Sequence, residues 1–198
     1  MLEKQRTISK EVSISGKGLH TGHQSTMTFK PAPENYGVRF KRIDIKDSPE
    51  IPADIDHVTD ISRGTTIAKD GVEVHTVEHV LASIMGCEID NIIVELNNNE
   101  TPIMDGSAMS YVKALQEAGI VEQNAKRDYL VIEDTVHYQD EANNIDIVAL
   151  PLKNDFRISV LIDYNNAVLG VQHTGLFNLQ KEFEKEFNLD ADYIKENL

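Results

Sequence analysis

The sequence of 198 residues holds a single cysteine, Cys87, which excludes a disulfide framework and any multi-cysteine zinc site. One thiol also fits a reducing compartment. No apolar run approaches the ~20 residues that a membrane-spanning helix needs, so no integral membrane segment is expected. The opening residues MLEKQRTISK are polar and carry no apolar signal core, and the expected location is the cytoplasm. Glycine (11) and proline (6) are too scarce for a low-complexity or collagen-like chain. Positive charge is short as well: 19 Lys and Arg face 33 Asp and Glu, a formal net charge of −14. That acidity argues against nucleic acid as a partner. What remains is a globular composition, 40% hydrophobic and 26% charged, with enough apolar side chain for a core in one domain or two small ones.

The scarce positive charge is concentrated. Residues 1–46 carry nine Lys and Arg against four acids, so the later residues hold the acidic excess. Two readings follow: a solvated basic strand face, or a basic wall for a phosphate-bearing substrate.

Strand patterns open the chain. Ile8, Lys10, Val12 and Ile14 mark one alternating run, Met27 and Phe29 close a second, and Val38–Ile43 form a third. Between the first two lies the glycine-rich loop GKGLHTG, Gly16–Gly22. Lys69-Asp70-Gly71 predicts a hairpin between Thr65–Ala68 and Val72–Val74, because Asp-Gly suits turn positions with φ > 0. A helix is predicted over about 76–85, stopped by Gly86 as a C′ residue. Ile92–Leu96 reads as a strand, Asn97–Glu100 as a polar turn, and a second helix over about 107–118 ends at Gly119. A composition shift at Glu122–Asp128 marks a domain boundary, with a first domain over 1–125 and a second over 126–198. Further strands are expected near 129–138, 145–150 and 156–164. Thr28–Phe40 and Val148–Ile158 share a faint strand, proline, turn, strand echo. Phe177–Leu198 reads as an amphipathic helix with Phe183 and Phe187 seeking a partner surface.

The segment Val74–Gly86 carries the chemistry. On a helical wheel Val77, Val80, Leu81, Ile84 and Met85 form the core arc. His75, Glu78, His79 and Ala82 gather on the other side. In the first turn the helix dipole favours a carboxylate and disfavours imidazolium, which leaves a neutral, metal-competent ring. A carboxylate beside a metal-activated water is the arrangement of a general base. A solvated polar face is the alternative. His75-Thr76-Val77-Glu78-His79 also matches H-x-x-E-H of inverzincin metallopeptidases, in which both histidines bind zinc.

Four segments together resemble a known family: Lys4–Gly22, Phe29–Asp44, Thr76–Leu96 and Thr101–Val112, with GLHTG, TVEH and PIMDGSA in order. The chain resembles the N-terminal part of the bacterial zinc deacetylases that act on UDP-3-O-acyl-N-acetylglucosamine in lipid A synthesis. The resemblance implies an α+β fold, a sandwich of two similar domains that are each a sheet with two helices, the second incomplete here. It implies one zinc ion ligated by His79, with Glu78 as general base, and His20 with its neighbour Leu19 at the substrate pocket. For His20 the alternative is a loop imidazole bonded to backbone. Asp105 would sit behind the metal, fixing a ligand histidine's tautomer, or would cap the second helix. Cys87 is expected to be a core thiol. The family's remaining zinc ligands, in an H-K-x-x-D stretch, and its general-acid histidine have no match. The only histidines after residue 79 are His137 and His173. The chain is therefore expected to be a fragment inactive by itself, its partner the missing second half of its own fold. The peptidase and a non-catalytic nucleotide-sugar binding module are the other readings.

Overall fold

A computed structural model describes residues 3–153, 156–177 and 182–183. They divide into two compact units, one running to Arg127 and including Phe183, the other spanning Asp128–Glu182. The fold is α+β. The first unit contains β1 (Lys4–Ile8), β2 (Val12–Lys17), β3 (Gln24–Pro31), β4 (Val38–Arg42), β5 (Glu50–Pro52), β6 (Val58–Asp60), β7 (Thr66–Lys69) and β8 (Val72–Val74). α1 (Glu78–Gly86), β9 (Ile92–Leu96), α2 (Met109–Ala118) and β10 (Ile120–Lys126) follow.

The main sheet has the order β2-β3-β9-β4-β5, with β4 and β9 parallel and the other pairs antiparallel. Period-two alternation sorts its residues onto two faces. One register row, Val12–Phe29–Val94–Phe40–Ile51, crosses all five strands and enters the core. Val77, Val80 and Ile84 of the α1 segment and Tyr111 and Leu115 of α2 belong to the same core. The neighbouring row, Ser13–Thr28–Glu95–Lys41–Glu50, lies on the opposite, polar face. There Lys30 pairs with Glu95 at 2.8 Å, Lys41 reaches Glu50 at 3.6 Å, and Arg39 lies over the Tyr36 ring at 4.4 Å. On this face Lys30, Lys41 and Arg39 are already partnered, which favours the reading of a solvated basic strand face.

Several local expectations are corrected by long-range contacts. The single run expected through Ile8–Ile14 is two strands in two sheets: β1 pairs with β10, and β2 pairs with β3. The chain bends between them, and the Ser9 N–H is spent on the Gly119 carbonyl at 2.7 Å. Most of the segment expected to be a boundary is strand β10. Its polar side chains are committed to the first unit. Gln123 accepts from the buried Asn91 amide, and Arg127 grips both Asp90 oxygens at 2.8 and 2.9 Å. The division between the two units falls after Arg127, inside the expected boundary segment Glu122–Asp128.

α1 ends differently from expectation. Gly86 is its last helical residue and has no positive φ; the left-handed residue is Glu88, at φ 55°. Ile89 N–H bonds Ile84 O and Glu88 N–H bonds Met85 O, which is a Schellman closure around Glu88. Gly86 has another reason to be glycine. A β-carbon there would overlap the ring of Phe183, which is buried at 6% exposure. Phe183 therefore needs no outside surface. The other residues of the expected C-terminal helix, apart from Phe177 and Glu182, lie outside the described residues. The buried arc of α1 also turns away from Met85, which is exposed, toward Ser83, whose hydroxyl donates to Val80 O.

Among the described residues the second unit shows two hairpins in separate two-stranded sheets, β11 (Val136–Asp140) with β12 (Ile145–Ala149), and β13 (Ile158–Asp163) with β14 (Val171–Leu176). The echo between the units is partial: β3 and β4 share one sheet with β9 between them, whereas β12 and β13 belong to different sheets. No helix of the described residues is long and apolar enough to cross a membrane.

Candidate active site

Three segments of the first unit converge on the start of α1. The first is the glycine-rich loop after β2. Gly18 N–H bonds His23 O, and Gly22, at φ 66°, returns an N–H to Gly18 O. This tight loop places Leu19 and His20 at its tip, with Leu19 56% exposed. His20 Nε2 lies 3.0 Å from Arg63 O, so the ring is bonded to backbone in the β6–β7 loop.

That β6–β7 loop is the second segment. Ser62 folds back on Asp60 through its N–H and hydroxyl. Thr65 N–H then donates to Glu78 Oε2 at 2.8 Å, and Val77 N–H donates to Thr65 O at 3.2 Å. Gly64 lies between the side chains of Glu78 and His20. A β-carbon there would stand 3.0 Å from Glu78 Oε1 and 3.7 Å from His20 Nε2.

The third segment is α1 itself. Its N-cap, Val77, makes no side-chain cap, and Glu78 is the acid of the first turn, where the unsatisfied N–H groups favour negative charge. Glu78 and His79 are both half-buried. No described residue hydrogen-bonds to the His79 ring. Thr76, just before the helix, has φ 59°, an unusual conformation for a β-branched residue.

Beneath these segments lies Glu100, expected only as a turn residue. It is the only buried acid among the described residues, at 1% exposure. Its Oε1 accepts from His20 N–H at 2.8 Å and the Thr76 hydroxyl at 3.1 Å; its Oε2 accepts from the Thr21 N–H at 2.8 Å and hydroxyl at 2.6 Å. Burial pushes this carboxyl up, but the four hydrogen bonds outweigh it and hold the group down at about 2.

A cavity of about 240 Å³ opens beside the loop, lined among others by His20, Arg63, Thr66 and His75. His75 is committed elsewhere: Nδ1 lies 3.0 Å from the Thr66 hydroxyl and Nε2 3.1 Å from Glu73. No group of three potential metal ligands exists among the described residues. The pairing of His75 with His79 that a peptidase needs is thus not favoured. Asp105 Oδ1 accepts from the Ser107 N–H at 3.0 Å and hydroxyl at 2.9 Å. Ser107 Oγ in turn accepts from Met109 N–H at the start of α2. Asp105 therefore shapes the loop ahead of α2, whose N-cap residue is Ala108, and its hydrogen bonds go to Ser107. Its charge is still felt nearby. Burial pushes the Tyr111 phenol up, the Thr101 hydroxyl opposes that, and the charges of Asp105 and Glu78 add to the rise. In the second unit His137 pairs with Asp146 and His173 with Ser159. Cys87 is half-buried and packs against the core.

Comparison with known proteins bears on this site. Residues 5–189 match the family model described as LpxC, UDP-3-O-acyl N-acetylglycosamine deacetylase. A bifunctional enzyme LpxC/FabZ of Chlorobaculum tepidum is 54% identical over 188 residues, covering 95% of this chain and 40% of the relative. A UDP-3-O-acyl-N-acetylglucosamine deacetylase of Myxococcus xanthus is 41% identical over 184 residues, 93% of this chain and 58% of the relative. One of Xanthomonas euvesicatoria is 34% identical over 195 residues, 98% of this chain and 61% of the relative. The chain thus spans between two-fifths and about three-fifths of the length of these curated relatives.

Proposed function

The chain belongs to the UDP-3-O-acyl N-acetylglycosamine deacetylase (LpxC) family, and on that premise we propose that it carries the general-base half of a zinc-dependent deacetylase site. The substrate is UDP-3-O-acyl-N-acetylglucosamine, the reaction is removal of its N-acetyl group in lipid A biosynthesis, and the setting is the cytoplasm. The observation that carries the reading is Glu78. This carboxylate is held at Oε2 by the Thr65 N–H in the first turn of α1, next to an imidazole that no described residue occupies.

The donor chemistry suits zinc at one position. A half-buried, unpaired imidazole is an ordinary zinc ligand, and His79 supplies it. A catalytic zinc site takes three protein ligands, and the described residues contain no further cluster to complete it. When bound, zinc polarises the acetyl carbonyl and acidifies water.

The chain's own residues do the rest. The Thr65 N–H fixes one oxygen of Glu78 and leaves Oε1 to take a proton from the water that attacks the acetyl carbon. The carbon–nitrogen bond then breaks, acetate departs, and the sugar nitrogen leaves as an amine after gaining a proton. His20 and Leu19 flank the substrate from the glycine-rich loop. Asp105 acts from behind, by ordering through Ser107 the loop ahead of α2, the helix that carries Tyr111.

Acetate release is the test. A chimera joining residues 1–177 of this chain to the remaining length of a full-length relative should release acetate, and Glu78→Gln in it should cost about 10²–10⁴-fold. A chimera that folds and binds zinc yet releases no acetate overturns the reading. The 198-residue chain alone should bind zinc weakly in calorimetric titration and turn over nothing measurable. Tight 1:1 binding would show that the chain holds further ligands.

A further inference from the structure

Glu100 has a place in this site that neither its sequence context nor the Glu78–His79 pair explains. Its two oxygens take four hydrogen bonds from donors on two separate segments, His20 and Thr21 on one side and Thr76 on the other. A neutral acid or an amide cannot accept all four, because each keeps one side of the group as a donor. An apolar residue would orphan every one of them. Space is made for the carboxylate from above: a β-carbon on Gly18 would overlap it. From below, the strained Thr76 is secured twice, by its hydroxyl on Glu100 and by the Thr101 hydroxyl on its carbonyl at 2.6 Å. Such strain persists only where the surroundings over-determine it.

The contacts close a ring. Glu100 holds the His20 backbone; His20 Nε2 meets Arg63 O; two residues on, Thr65 N–H holds Glu78; and Glu78 follows Thr76, which returns to Glu100. We propose that Glu100 is a positioning residue for this site, whose carboxylate sets the His20 loop against the turn that launches the Glu78–His79 helix. The inference rests on the deacetylase reading for its purpose, while its geometry stands without it.

The test uses the ¹⁵N-labelled 198-residue chain with Glu100→Gln and Glu100→Asp, and reads amide exchange together with the ring resonances of His20 and His79. In Glu100→Gln the amides of His20 and Thr21 should exchange at least tenfold faster and both ring resonances should move. Core amides such as those of Val94 and Phe40 should keep their rates. Glu100→Asp, shorter but still charged, should restore part of the protection. Wild-type exchange at His20 and Thr21 overturns the proposal. So does a uniform acceleration that includes the core, since that describes a stability element alone. If Glu100→Gln does not fold, Thr21→Val removes a single donor and should show the same local pattern, more weakly; unchanged ring resonances there overturn it. None of these readouts uses zinc or substrate, so an absence of deacetylation would remove the functional reading and leave this result intact.

Discussion

Gly18 and Glu100 occupy adjoining space: a β-carbon on the glycine would coincide with the buried carboxylate and crowd the Thr21 hydroxyl. The glycine of the GLHTG loop is therefore required by packing against an acid far along the chain. Gly18→Ala should destabilise the chain by about 1–3 kcal/mol, the usual cost of overpacking. Thermal denaturation measures it. In a double-mutant cycle with Glu100→Ala the two losses should fall well short of additive, because the second substitution vacates the space.

The pH dependence of stability should carry the signature of Glu100. Its folded-state carboxyl lies at about 2, below the ordinary value near 4.5. A depressed carboxyl stabilises the fold fully above its unfolded value, and the contribution drains away as pH falls from there through about 2. The stability gap between the natural chain and Glu100→Gln should be constant above about pH 5.5 and shrink steadily below it. Urea titrations at a series of pH values will show this, and a gap that grows on acidification contradicts it.

Gly86 and Phe183 make a conditional pair. Phe183→Ala should cost about 3 kcal/mol, the low end of the range for losing a buried phenylalanine. Gly86→Ala in the natural chain should also destabilise, since the methyl displaces the ring. In the Phe183→Ala background the same substitution should become neutral or stabilising, by up to about 1 kcal/mol, because alanine is the better helix former. That reversal of sign, read from denaturation midpoints, separates ring packing from any backbone role for the glycine.

His75→Ala should leave zinc affinity unchanged in any form of the protein that binds the metal, because its ring is engaged by Thr66 and Glu73 on the β7–β8 hairpin. Calorimetric titration with zinc decides it. A loss of tenfold or more would make His75 a ligand and revive the peptidase geometry.

Elements whose signals are local were legible. The β7–β8 hairpin turns on Asp70 and Gly71 at φ 51° and 80°, where Asp-Gly is favoured by its own backbone preferences. Ile92–Leu96 is a strand with the expected bounds, since burial on one face writes a period of two into its side chains. Gly119 closes α2 with a positive φ of 73°, again a property of one residue. The polar face of α1 was legible only in part: Glu78 and His79 stand in its first turn, whereas His75, expected beside them, lies ahead of the helix and is held by Thr66 and Glu73.

What the sequence by itself determined is the set of short-range preferences: α+β composition, the turns, the helix that presents Glu78 and His79, and the family motifs around them. Tertiary structure alone decided that Ile8 and Val12 serve different sheets, that Gln123 and Arg127 anchor a strand, and that Gly86 exists for Phe183. It also turned Glu100 from a turn residue into the buried acid that holds the His20 loop. The physical reason is common to all four. A residue's own propensity reports on its neighbours in the chain, whereas burial, steric exclusion and the pairing of a charge depend on atoms that only the folded chain brings within reach.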